Sequence, residues 1–192
     1  MDKDRLEAFS DGVLAIVITI MVLELKVPHG EDIAALLPLW PVFLSYALSF
    51  LYVGIYWNNH HHMLKAAERV NGAVLWANLH LLFWLSLLPF STGWLGENHF
   101  ARWPMVVYGV NLLVCALAFF ALQGCLLRLH GRDSMLGKAI GRDAKGKSSP
   151  VLYLAGIAAA WFVSPWLGLA LFIGVALLWL VPDRRIERLF LS

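Results

Sequence analysis

Few residues in this chain could do chemistry, and those few sit in an apolar background. Asp11 lies within the first apolar segment, and His60, His61 and His62 stand in a row at the end of the second, with His80 further on. A carboxylate in such a setting needs a partner, and imidazoles in a row raise the question of a metal site. Adjacent helical residues point about 100° apart, so the three histidines cannot all face one ion, although His80 could join one of them. Trp57 precedes His60 and His61 by three and four residues and shares a helix face with each. A polar contact in which a histidine compensates Asp11, with Arg5 as a second partner, fits this spacing better than a metal centre. No acid, base and nucleophile converge, and no phosphate-binding loop or dinucleotide fingerprint is present, so no enzyme and no cofactor are expected. Cys115 and Cys125 share one apolar run and would stand about 15 Å apart along a helix, too far for a disulfide.

The elements that must hold these residues are set by composition. The chain has 192 residues, is 60% hydrophobic and carries only 15% charged residues, so a soluble fold could not hide its apolar surface. A formal charge of +2 gives no reason to expect a nucleic-acid partner. Apolar runs at about residues 8–26, 38–58, 73–93 and 104–127 are long enough to be membrane helices. Residues 151–181 form one more block, interrupted by Ser164, Pro165 and Trp166, which reads as two short helices, 151–163 and 166–181. The fold class expected is therefore an all-α integral membrane protein of six transmembrane helices in a single domain, with residues 128–149 as a basic, Gly-rich cytoplasmic loop. The first segment has no cleavage site and reads as a retained helix.

Lys and Arg placement tests that count, because cytoplasmic loops retain positive charge. With six crossings, Lys3, Arg5, Lys65, Arg69, Arg128, Arg132, Lys138, Arg142, Lys145, Lys147, Arg184, Arg185 and Arg188 fall on one side, thirteen of the fifteen cations. Only Lys26 and Arg102 lie opposite. The expected placement is the cell membrane, multi-pass, with both termini cytoplasmic and the bilayer as the first partner.

Within the first helix, Gly12, Ile16, Thr19, Ile20 and Leu23 share a stripe at helical spacing, while Ser10 and Asp11 project elsewhere. By spacing alone this is also an ordinary packed helix, with Gly12 at a close approach and Thr19 bonded to its own turn. The segment Arg5-x3-Phe9-Ser10-Asp11 resembles the signature of the transmembrane protein 175 potassium channel family, and the Trp57 and His pairing on the second helix is similar to that family's. The resemblance implies a homotetramer of six-span subunits around a central pore lined by the first helices. It places the family's bulky aliphatic constriction at Ile16, a threonine layer at Thr19, and further apolar pore residues at Ile20 and Leu23. Arg5, Phe9, Ser10, Asp11, Trp57, His60 and His61 are then structural motif residues. The function implied is potassium-selective passive conduction, with permeating potassium ions and no other metal. The alternative is a histidine-dependent membrane metal transporter or enzyme.

The topology is testable. In a background lacking Cys115 and Cys125, a cysteine at Ser134 should stay unlabelled by an impermeant maleimide in intact cells and react once the membrane is opened. Efficient labelling of sealed cells would overturn the six-span reading.

Overall fold

The computed structural model describes residues 3–131, 133–140 and 144–180. Arg132, Arg142, Arg184, Arg185 and Arg188, five of the cations used above, lie outside the described residues. Among the described residues the chain is helical throughout, with no strand: α1 (Lys3–Leu23), a 3₁₀ segment (Ile33–Leu39) running into α2 (Trp40–Ala66), α3 (Gly72–Leu85), α4 (Leu88–Glu97), α5 (Arg102–His130), α6 (Met135–Ile140), α7 (Ala144–Phe162) and α8 (Pro165–Leu180).

Several expected boundaries change, each for a local reason. Helix α1 already runs at Lys3, the first described residue, rather than from residue 8, and Asp4 in that turn complements the positive end of a helix dipole. It ends at Leu23 rather than 26, short of Pro28. Helix α2 continues to Ala66, well past the expected end at 58, since nothing in the histidine run breaks a helix. The run at 73–93 is divided at Ser86 and Leu87 into α3 and α4, because Pro89 in the first turn of α4 cannot donate back into α3. The fourth run extends at both ends, from 104–127 to Arg102–His130. The stretch at 128–149, expected to be a flexible loop, carries the end of α5, all of α6 and the start of α7; Ser134 Oγ caps α6 by accepting from the Gly137 N–H at 3.0 Å. The last block runs as Ala144–Phe162 and Pro165–Leu180, with Pro165 opening α8.

Among the described residues four helical runs are long and apolar enough to cross a membrane: Lys3–Leu23, Ile33–Ala66, Gly72–Glu97 and Arg102–His130. The apolar helices Ser148–Phe162 and Pro165–Leu180 are shorter. In lipid, burial alone does not press helices together, so close packing and polar contacts must. Helix α5 packs on α3 and α7, α7 on α8, and α2 on α1 and α4. A Cβ added at Gly96 would lie 2.8 Å from the Val42 Cα, so only glycine lets α4 approach α2 that closely. At the centre, the Tyr52 hydroxyl donates to the Phe172 carbonyl at 2.6 Å, and the Thr92 hydroxyl donates to Ser49, whose Oγ also lies 2.9 Å from the Tyr108 hydroxyl.

One buried chain of hydrogen bonds positions α1. His60 Nε2 lies 2.7 Å from Asn78 Oδ1, Asn78 Nδ2 donates to Ser10 Oγ at 2.9 Å, and Ser10 Oγ donates to the Leu6 carbonyl at 2.8 Å. Every member is buried, and the chain ties α2 through α3 to α1. Around it Leu6, Leu14, Val17 and Met21 form the packed face of α1.

Replacing Asn78 with Leu should therefore leave the His60 N–H buried without an acceptor and Ser10 Oγ without its donor, and cost about 1–3 kcal/mol. Denaturant unfolding in detergent, with the exposed Asn98→Ala as control, measures it. An Asn78→Leu protein as stable as its parent would remove this chain from the forces that hold α1.

Candidate pore helix and its polar collar

Helix α1 presents two unlike faces. Opposite the buried face, Gly12, Ile16, Thr19, Ile20 and Leu23 are all exposed, Ile16 by 58% and Leu23 by 79%, and Arg5 and Phe9 continue the same stripe toward the amino-terminal end. An apolar helix reveals its packed side by its buried residues, so these positions are the surface the subunit leaves open to lipid, to water or to another chain. The Thr19 hydroxyl donates to the Ile16 carbonyl at 2.9 Å, the backbone bond that the packed-helix reading anticipated. That bond fixes the rotamer and leaves the oxygen's lone pairs on the exposed stripe.

Ser10 and Asp11 project away from the stripe. Ser10 is buried in the hydrogen-bond chain to Asn78 and His60. The partner of Asp11 corrects the sequence-based expectation. The Trp57 indole N–H donates to Asp11 Oδ1 at 3.0 Å, so the direct hydrogen bond to this carboxylate comes from a tryptophan rather than a histidine. Arg5 is exposed. The histidine expected at Asp11 is directed elsewhere: His61 Nδ1 lies 2.7 Å from Glu7 Oε1, one turn toward the start of α1, and its ring stacks on Trp57 with centroids 6.2 Å apart. Trp57 and His61 thus form one collar on α2 gripping Glu7 and Asp11 on α1. The physical reason is register. Positions 57 and 61 are four apart, as are 7 and 11, so two pairs match across two packed helices. His60 points about 100° away, into α3.

The remaining polar groups sort as follows. Asn78 and Asn111 do bridge helices, Asn111 by donating to the Trp84 carbonyl at 3.0 Å. His80 accepts from Trp84 of its own helix at 2.9 Å. Among the described residues no three His, Cys, Asp or Glu side chains are placed to hold a metal ion. His60, His61 and His80 are each committed to a different partner.

At the other end of α1, a groove opens between the exposed side of the helix and α4. Ile16 and Ile20 form one wall, Pro89, Phe90 and Trp94 the other, and Glu24 and Glu97 close its end. Glu24 is exposed there, as are Glu31 and Asp32 in the connecting segment. Glu97 escaped notice because it stands alone in a polar turn, seventy-one residues from its partner Lys26. That partner is bound to it at 2.5 Å, and the hydrogen bond to Glu97 raises the Lys26 ammonium above its ordinary pKa. The other cation opposite the basic side, Arg102, lies 5.9 Å above the Trp161 ring. Glu7 and Asn78 were also missed as site residues. The four-residue match of Glu7 and Asp11 to Trp57 and His61 is the signal that could have found Glu7.

Similarity to other proteins follows the same geometry. The family model described as endosomal/lysosomal potassium channel TMEM175 matches residues 5–89, from Arg5 to the proline that divides α3 from α4. A potassium channel of Chryseobacterium sp. (strain P1-3) is 53% identical over 188 residues, covering 98% of this chain and 97% of that protein. The endosomal/lysosomal proton channel TMEM175 of Rattus norvegicus is 33% identical over 133 residues, 63% of this chain but 26% of that longer protein. Among solved structures, the crystal structure of a lysosomal potassium-selective channel TMEM175 homolog from Chamaesiphon minutus superposes with a TM-score of 0.79 at 32% identity, covering 93% of this chain and 96% of that one. With its exposed first-helix stripe, its Trp57 and His61 collar and this likeness over almost its whole length, the chain belongs to the TMEM175 family.

Proposed function

We propose that the protein is a potassium-selective cation channel of the cell membrane, a homotetramer in which the exposed stripe of each α1 lines a central pore. The observation that carries this reading is the full-length similarity to a protein named as a potassium channel, at 53% identity. The outward stripe of α1 supports it, because four copies turned inward would join Gly12, Ile16, Thr19, Ile20 and Leu23 into one path. Each subunit crosses the bilayer six times, with α7 and α8 as the short final pair and both termini cytoplasmic, in keeping with the one-sided cations. The reading involves no enzymatic step and no cofactor.

In this reading Ile16 forms the constriction. Aliphatic carbons offer nothing in place of lost hydration water, so a narrow isoleucine ring opposes ions by dewetting and penalises sodium, which holds its water more tightly, more than potassium. Thr19 forms the next layer, where hydroxyl oxygens already fixed by their bond to the Ile16 carbonyl accept the partly stripped ion. Glu24 and Glu97 at the far end enrich cations near the mouth, Glu97 less so because Lys26 neutralises it. The alternative of a histidine-based metal transporter or enzyme draws no support from the partners that His60, His61 and His80 already have.

Liposomes containing only the purified protein should release potassium down its gradient faster than sodium, and absence of flux would end the channel reading. Ile16→Asn, which supplies the constriction with a polar group, should raise conductance about fivefold for a net gain near 1 kcal/mol, and should narrow the preference for potassium. Thr19→Val keeps the shape and removes the hydroxyl, so its main effect should be on ion preference. Unchanged conductance and preference in an assembled Ile16→Asn channel would place the constriction elsewhere. Asp11→Ala, which removes the acceptor of the Trp57 indole, should weaken the tetramer on size-exclusion chromatography. If it instead leaves assembly and thermal stability intact while changing selectivity, Asp11 belongs to the ion path.

A further inference from the structure

A second histidine device lies away from the α1 stripe, where α2 turns into α3. Helix α2 stops at Ala66, and Asn71 caps α3 by accepting from the Val74 N–H at 3.0 Å, which leaves the intervening backbone outside both helices. Its N–H groups need acceptors. His130, the last residue of α5, supplies one. The N–H of Glu68 donates to His130 Nε2 at 3.0 Å and that of Arg69 at 3.3 Å, while His130 Nδ1 lies 3.0 Å from the Leu126 carbonyl one turn back on its own helix. The Arg69 guanidinium adds a bond to the Leu129 carbonyl at 3.4 Å.

These partners determine the imidazole's state. A carbonyl can only accept, so Nδ1 carries the hydrogen; two N–H groups can only donate, so Nε2 must offer its lone pair. The ring is therefore neutral, in the Nδ1–H form. A proton added at Nε2 would remove the acceptor and set a third N–H against the two already there. The ionisable groups along the ends of the elements that meet here are Lys3, Asp4, Arg5 and Glu7 of α1, His61, His62 and Lys65 of α2, Glu68 and Arg69 of the turn, Arg128 of α5, Asp133 before α6 and Lys138 within it.

The turn in question also carries the start of α1, because Lys3 Nζ donates to the Ala67 carbonyl at 3.2 Å. We propose that His130 is a proton-released latch: neutral, it clamps the α2–α3 turn to the end of α5 and steadies the amino-terminal end of α1; protonated, it lets the turn go. The latch itself stands on geometry alone. Only its consequence for ion flow, and its exposure to cytoplasmic rather than external pH, rest on the channel reading above.

The test uses the full chain in lipid nanodiscs, labelled with 15N-histidine, with the His130 signal assigned by its loss in His130→Gln. At about pH 7.5 the nitrogen shifts should report a neutral ring protonated at Nδ1. Lowering the pH to about 5.5 should give the doubly protonated ring, and the Glu68 and Arg69 amides should exchange about tenfold faster after correction for intrinsic rates. In His130→Gln the same step should change their exchange less than about twofold. A neutral ring protonated at Nε2, or amides equally protected at both pH values, would overturn the latch. The amide exchange is read on the wild-type protein, so it survives a variant that folds poorly. Potassium efflux from liposomes tests the coupling separately: wild-type flux should change with pH on the face carrying His130, and His130→Gln flux should not. Wild-type flux indifferent to that pH overturns the coupling. Absence of flux at any pH would end the channel reading while the nitrogen shifts and amide exchange still decide the latch.

Discussion

The arrangement of the subunit depends on the hydrogen-bond chain from His60 through Asn78 and Ser10 to the Leu6 carbonyl. Ser10 gives its proton to that carbonyl, so it can only accept from Asn78; the Asn78 amide then turns its oxygen toward His60, which must donate. The directions agree at every link. Such a chain in a dry interior has no substitute partners, which makes it specific as well as cohesive. Because it crosses α1, α2 and α3, it sets the rotation of α1 about its own axis. The face that carries Ser10 is held inward, and the opposite face is held out.

That rotation makes the rest of α1 intelligible. Leu6, Leu14, Val17 and Met21 follow Ser10 into the packed side, and Gly12, Ile16, Thr19, Ile20 and Leu23 are left exposed at the same helical period. A collar then fixes the height of the helix: Trp57 holds Asp11 and His61 holds Glu7, one turn apart on both helices. Rotation and height together determine where any functional residue of the stripe stands. The collar is polar and lies at the end of α1 that carries Arg5, while the groove with Glu24 and Glu97 lies at the other end, so the stripe runs between two charged rims. Histidines serve three unlike purposes in this frame, as buried donor, carboxylate partner and backbone acceptor, and the difference comes wholly from their neighbours.

Much of the class was legible without coordinates. The apolar runs identified a helical membrane protein, and Arg5-x3-Phe9-Ser10-Asp11 identified the family, because such signals are local: a run's length and a motif's spacing are written in consecutive residues. The stripe from Gly12 to Leu23 was readable for the same reason, through the helical period. Boundaries were less so. The division of α3 from α4 was missed although Pro89 marks it, since the surrounding apolar residues disguise the break, and the helical content of 128–149 was hidden by the glycines and charges of that segment.

Partners were the part that the sequence could not supply. Asp11 needed a donor, and that need is dictated by its apolar setting alone; the choice of the Trp57 indole over a histidine came from the way α1 and α2 lie against each other. The place of Asn78 between Ser10 and His60 required α3 to meet α1 and α2. Glu97 and Lys26, and His130 with the Glu68 and Arg69 amides, are joined across distances in sequence that carry no periodic signal. By itself the sequence determined which residues must be inside a membrane helix and which of them share a face, because hydrophobicity and helical period are properties of a single segment. The tertiary structure alone decided which polar group meets which, because hydrogen bonds are short and directional and depend on where separate helices come to rest.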